Sequence, residues 1–137
     1  MPKNPAGRPP ELATLLAMDP VELAAEVLVR VFTPVLDDSY PQAKGLAQTL
    51  ADLGSVPLSA WTWNPSRPHD GAIARLTLEL VLIWERAGVA ARGVFNESNE
   101  VVLLMRGEAL LRLPDARRAV EDELRSSAPA PLRESAD

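Results

Sequence analysis

The feature that most constrains the fold is a nearly all-apolar helix that runs directly into a β-hairpin. The residue spacing predicts a helix over 70–87 that stops at Gly88. Two strands, 91–95 and 101–106, are predicted to follow, joined by a polar turn at 96–99. This order of elements predicts that the long helix packs on a small antiparallel sheet.

The predicted helix has little polar surface. Arg75, Glu79 and Arg86 form its main polar line, and most of the remaining circumference is apolar. A helix of this kind is either central to its domain or packed against another chain. The strand that starts at Val101 is apolar on both faces, which indicates that it is covered on both sides.

Capping residues predict three further helices. Asp19 and Pro20 begin the first, which Pro34 ends. Ser39 begins the second, and Gly54 ends it as a left-handed C′ residue. Asp115 begins the last, in which Arg117 and Glu121 form an i,i+4 pair. Short helical turns at 10–17 and 108–113 and a third strand at 56–63 complete the predicted elements. The predicted fold class is therefore α+β and mainly α, with about four helices packed on a small antiparallel β-hairpin sheet.

The composition predicts one folded domain with a disordered tail at each terminus. The length suits a single core of moderate size. Residues 1–9 and 127–137 are polar or proline-rich and have no apolar period, so both are predicted to be disordered tails. A single globular domain is predicted over 10–126.

The chain offers few groups for chemistry. It has no cysteine and a single histidine, His69, so a zinc site is not expected in one chain, and no phosphate-binding or dinucleotide-binding glycine pattern occurs. His69 precedes Asp70 at the start of the long helix, where polar residues are common for reasons of capping. We therefore expect no catalytic residue, no metal and no cofactor, and we expect the protein not to be an enzyme.

The net charge and the hydropathy of the chain indicate which kinds of partner it binds and in which compartment it lies. The net charge is −5, which disfavours non-specific binding to nucleic acid. The longest apolar runs are far shorter than the roughly 20 residues of a membrane-spanning helix, and no signal peptide is recognisable. Together with the lack of cysteine, this predicts a cytoplasmic protein without membrane contact.

The most unusual loop contains two of the chain's six aromatic residues. Trp61 and Trp63 lie next to prolines and Arg67. Tryptophan and arginine dominate binding hot spots, so this loop is a candidate anchor for a partner, with Arg92 and Arg106 at the rim. The alternative is that one or both tryptophans fold back and close the core beside the long helix.

The junction from Glu85 to Arg92, with the following strand, resembles the second half of a winged-helix domain, in which a recognition helix ends near Ala-Gly and a two-stranded wing follows. The resemblance covers about 35 residues and implies a DNA-binding fold. However, this helix is too apolar to read base edges, and Glu97 and Glu100 in the wing turn would meet phosphates. The resemblance therefore favours a winged helix that is used for protein contacts.

These observations predict a small cytoplasmic, non-enzymatic interaction module, an adaptor or accessory subunit that binds another protein or itself, preferably as a homodimer. One alternative is a winged-helix DNA-binding regulator, which requires one basic face combining Arg75, Arg86, Arg92 and Arg106. A second alternative is a small-molecule binder or enzyme. It requires a pocket near Trp61 and Trp63, with His69 and Glu79 or Glu85 among its polar groups.

Overall fold

The computed structural model describes residues 12–54, 68–94 and 100–127. These residues form six α-helices and a two-stranded antiparallel sheet, which confirms the predicted α+β, mainly α class. In chain order the elements are α1 (Leu12–Ala17), α2 (Pro20–Phe32), α3 (Leu46–Leu53), α4 (Pro68–Ala87), β1 (Ala90–Arg92), β2 (Val101–Leu103), α5 (Met105–Leu111) and α6 (Ala116–Ser126). The two predicted tails lie almost wholly outside the described residues.

Helix α2 is the centre of the fold, and it packs against α3, α4 and α6. Asp19 caps it as predicted, accepting a hydrogen bond from the Val21 amide at 3.3 Å. The helix ends at Phe32, and Pro34 lies in the 3-10 turn that follows. Trp84 of α4 joins α2 to the core, donating its indole N–H to the Ala24 carbonyl at 2.9 Å.

The predicted start of α3 at Ser39 is wrong. Residues 41–43 instead lie alongside the edge of β2 that β1 leaves open: the Ala43 amide donates to the Val101 carbonyl at 2.8 Å, and the Leu103 amide donates to the Pro41 carbonyl at 3.0 Å. Because residues 41–43 form these backbone hydrogen bonds to β2, the capping pattern of Ser39 and Gln42 does not begin a helix. Gly45, in the left-handed conformation at φ 64°, then turns the chain into the helix.

The long helix and hairpin follow the predicted order, with shorter strands. Helix α4 ends at Ala87, and Gly88 follows in the left-handed conformation at φ 71°. Ala91 pairs with Val102 in the antiparallel register. The predicted turn at 96–99 and the predicted third strand at 56–63 lie outside the described residues.

The prediction that Arg106 lies in the second strand is wrong. Strand β2 stops at Leu103, and α5 begins at Met105, so Arg106 is helical. The physical reason is close packing at Gly107, where an added Cβ would lie 2.6 Å from Leu103 Cδ1 and closer still to the Val89 carbonyl oxygen. Without a side chain there, the chain can turn back on the hairpin as a helix.

Helix α6 is tied to α2 by ion pairs. It begins after Asp115 as predicted, although that side chain makes no capping hydrogen bond. Arg117 donates to Glu121 at 2.6 Å, confirming the predicted i,i+4 pair, and also to Glu26 of α2 at 3.2 Å. Arg125 bonds Asp19 at the start of α2. These bonds hold the last helix across the first long one.

Candidate interaction surface between α1 and α4

Helix α4 is buried on one side and exposed on the other. Its inward face consists of apolar residues at helical spacing: Ile73, Leu76, Leu80, Trp84 and Ala87 are all buried. Its outward face carries two leucines among charged residues, with Leu78 exposed to 54% and Leu82 to 48%. An exposed pair of leucines one turn apart on a helix is apolar surface that the described core does not use.

A groove runs between this outward side of α4 and helix α1. It encloses about 400 Å³, and its apolar lining includes Leu16, Met18, Leu82 and Ile83. A smaller depression of about 220 Å³ adjoins it along α4, sharing Leu16 in its lining. Leu16 is itself exposed to 45%. The groove, the adjoining depression and the two exposed leucines that line them, Leu16 and Leu82, are together called here the α1–α4 groove.

Close packing on α3 fixes the position of α1. Leu15 is fully buried, and an added Cβ on Gly54 would lie 2.5 Å from its Cγ atom. Gly54 ends α3 with φ −97°, so the predicted left-handed role of this glycine is wrong and its small size is what matters. With Leu15 held inward, the next residue along the helix, Leu16, faces the groove.

Three charged side chains of α4 line the two depressions. Glu79 and Arg86 line the larger one, and Arg75 and Glu79 line the smaller one. All three are exposed. The groove is therefore apolar at its base and has two arginines and one glutamate along the α4 side.

None of the predicted partner-binding residues is among the described residues that line the groove. Trp61, Trp63 and Arg67 fall outside the described residues, so their role stays a prediction. Arg92 and Arg106 are described and exposed, at 62% and 61% of their side-chain surface, but neither lines the groove.

Both of those arginines are engaged in ion pairs. Arg92 donates three hydrogen bonds to the Glu85 carboxylate, from its backbone amide at 3.0 Å, Nε at 3.1 Å and Nη2 at 3.2 Å. The side-chain hydrogen bond from Arg92 lowers the pKa of Glu85. Arg106 donates to Glu123 of α6 at 2.9 Å. Two of the four arginines required for a basic DNA-binding face are thus paired with carboxylates.

Two of the polar groups named for a small-molecule site, Glu79 and Glu85, have different surroundings in the structure. Glu79 lines the groove, whereas Glu85 is turned towards Arg92. His69 lies in the first turn of α4, and its side chain falls outside the described part of the chain. Among the described residues, no group of three or more histidine, aspartate or glutamate side chains is arranged to hold a metal ion.

Sequence reasoning missed the groove because it treated the apolar residues of α4 as one class. At 3.6 residues per turn, Leu82 falls on the same side of the helix as Arg75 and Arg86, and Leu78 lies beside that line. This placement is visible in the sequence and marks Leu82 as exposed. The groove itself depends on α1, whose packing on Gly54 no local pattern reveals.

No protein-family model, curated protein or solved structure matches this chain. Within the described ranges, no helix combines the length and apolar character needed to cross a membrane.

Proposed function

We propose that this chain is a small cytoplasmic, non-enzymatic interaction module, an adaptor or accessory subunit, that binds another protein or a second copy of itself through the α1–α4 groove. The observation that carries the proposal is the exposure of Leu16 and Leu82 in the lining of a groove of about 400 Å³. Contiguous exposed apolar surface rimmed by polar residues is typical of interaction sites.

The charge arrangement supports the same function. Interfaces usually have an apolar centre and a polar rim in which arginine is enriched. Arg75 and Arg86 occupy that rim on α4, and Leu82 lies between them along the helix. The arginines predicted from sequence, Arg92 and Arg106, would extend this contact only if a partner also reached the hairpin side of the domain.

The test compares two matched charge substitutions. Leu82→Glu places a carboxylate in the groove, whereas Leu113→Glu places one at an equally exposed leucine, 48% in both cases, on the link between α5 and α6. Light scattering over a concentration series measures self-association, and affinity capture from cells of the source organism measures other partners. Circular dichroism confirms that both variants fold.

The expected result is an assembly, or a captured protein, that persists with Leu113→Glu and is lost with Leu82→Glu. A monomer whose captured proteins are the same for the wild type and both variants would refute the proposal.

A further inference from the structure

Most arginines of the described part are already paired. Among residues 12–54, 68–94 and 100–127, six arginines lie within 4.0 Å of a carboxylate oxygen: Arg30, Arg92, Arg106, Arg112, Arg117 and Arg125. In the same ranges, three arginines form no ion pair: Arg75, Arg86 and Arg118. Two of these three line the α1–α4 groove and its adjoining depression.

The two unpaired groove arginines have a defined spacing. They are 11 residues apart on α4, which corresponds to about three turns, or roughly 16 Å along the axis. Leu78 and Leu82 lie between them on the helix, as does Glu79, the one carboxylate among the described residues that line the groove and its adjoining depression. The α4 side of the groove therefore has one excess positive charge and an apolar centre.

The groove walls also indicate what kind of backbone fits. None of the described residues that line the groove belongs to a β-strand, so the groove presents no open strand edge to an extended peptide. An amphipathic helix needs no such edge, because it binds through apolar side chains at i, i+3 or i+4, and i+7.

We propose that the α1–α4 groove binds an acidic amphipathic helix of a partner protein. Apolar side chains of that helix contact Leu16 and Leu82, and carboxylates about three turns apart pair with Arg75 and Arg86. A second copy of this chain fits less well, because it would bring the same excess positive charge to the interface. This inference rests on the proposed function and specifies its partner.

The experiment uses two synthetic helical peptides as probes. Both have the same leucines on one face; one has glutamates three turns apart beside that face, and the other has lysines at the same positions. Binding to the full chain is measured by fluorescence anisotropy at low and high salt. The protein variants are Arg75→Glu/Arg86→Glu, Leu82→Glu and, as the matched control, Arg118→Glu on α6.

We expect the glutamate peptide to bind about tenfold more tightly than the lysine peptide, since two ion pairs replace two repulsions. Arg75→Glu/Arg86→Glu should reverse that preference, Leu82→Glu should abolish binding, and Arg118→Glu should leave the preference unchanged. High salt should reduce the preference.

Three results overturn the inference, and they differ in what they mean for the proposed function. If both peptides bind equally and Leu82→Glu abolishes that binding, the groove is a docking site but its partner is not an acidic helix. If neither peptide binds and the wild type is a dimer that Leu82→Glu dissociates, the occupant of the groove is a second copy of this chain. If neither peptide binds, the wild type is a monomer and Leu82→Glu loses no captured protein, the proposed function is refuted as well.

Discussion

The substitution Gly107→Ala has two opposite effects on stability, a gain in helix propensity and a loss of tertiary packing. Gly107 lies inside α5, where alanine is favoured over glycine by about 1 kcal/mol. In the folded protein the new Cβ would lie 2.6 Å from Leu103 Cδ1, and nearer still to the Val89 carbonyl oxygen. Ordinary carbon contacts are about 3.5–4.0 Å, so α5 would have to move outward by about 1 Å.

The cost of that movement exceeds the gain in propensity. Overpacking of this kind costs about 1–3 kcal/mol. The Val89 carbonyl also accepts the Leu104 amide at 2.9 Å, and weakening that bond costs about another 1 kcal/mol. After the propensity gain is subtracted, we expect Gly107→Ala to lower the free energy of unfolding by about 1–3 kcal/mol, and Tm by roughly 4–12 °C.

Urea denaturation followed by circular dichroism measures the effect, with Ala109→Gly as the control. Ala109 is exposed in the same helix, so its replacement should cost about 1 kcal/mol through propensity alone. Both opposite substitutions should therefore destabilise the protein. A Gly107→Ala variant as stable as the wild type, or more stable, would show that α5 does not pack on the hairpin as described.

Three further predictions concern the core, a helix end and acid stability. Trp84→Phe, which loses the hydrogen bond to the Ala24 carbonyl and leaves a small void, should cost about 2 kcal/mol in urea denaturation; no change would contradict the burial of the indole. Gly88→Ala should cost about 1–2 kcal/mol and Gly88→Asn less, because φ is 71° and an added Cβ meets no described atom within 4 Å; equal costs would contradict a purely backbone origin. Glu26 has its pKa lowered from 4.5, chiefly by the side-chain hydrogen bond from Arg30 and further by the one from Arg117. A carboxyl group whose pKa is lower in the folded state stabilises the fold at pH values above its unfolded-state pKa. That stabilisation is lost as pH falls through the folded-state pKa, so Tm should drop on acidification below about pH 4.5. Arg117→Met should make that drop smaller, and an unchanged pH profile would contradict the pairing of α2 with α6.

Where local patterns agree with tertiary packing, sequence reasoning located the elements closely. Asp19 and Pro20 begin α2 as predicted, because a capping carboxylate and an N1 proline act within one turn. Gly88 ends α4 as predicted, because the left-handed conformation favours glycine whatever surrounds it. Both signals depend only on near neighbours in the chain.

Where distant segments compete, the prediction failed. The capping pattern at Ser39 is genuine, but the open edge of β2 offers the backbone of 41–43 hydrogen bonds that the pattern cannot reveal. The apolar run before Arg106 predicts that this residue lies in a strand, yet contact between Gly107 and the hairpin makes it helical.

The class of fold, the position of the long helix α4 and the small number of groups suited to catalysis could be read from the sequence, because composition, periodicity and caps are properties of the chain alone. The tertiary structure was needed to show that Leu16 and Leu82 border a groove, because their exposure depends on how Leu15 packs on Gly54 and which side of α4 meets α2. It also separated the paired arginines from those left unpaired, since ion pairs such as Arg117 with Glu26 join residues far apart in the chain. A surface for binding forms from such long-range contacts, and these are the contacts that local sequence patterns do not encode.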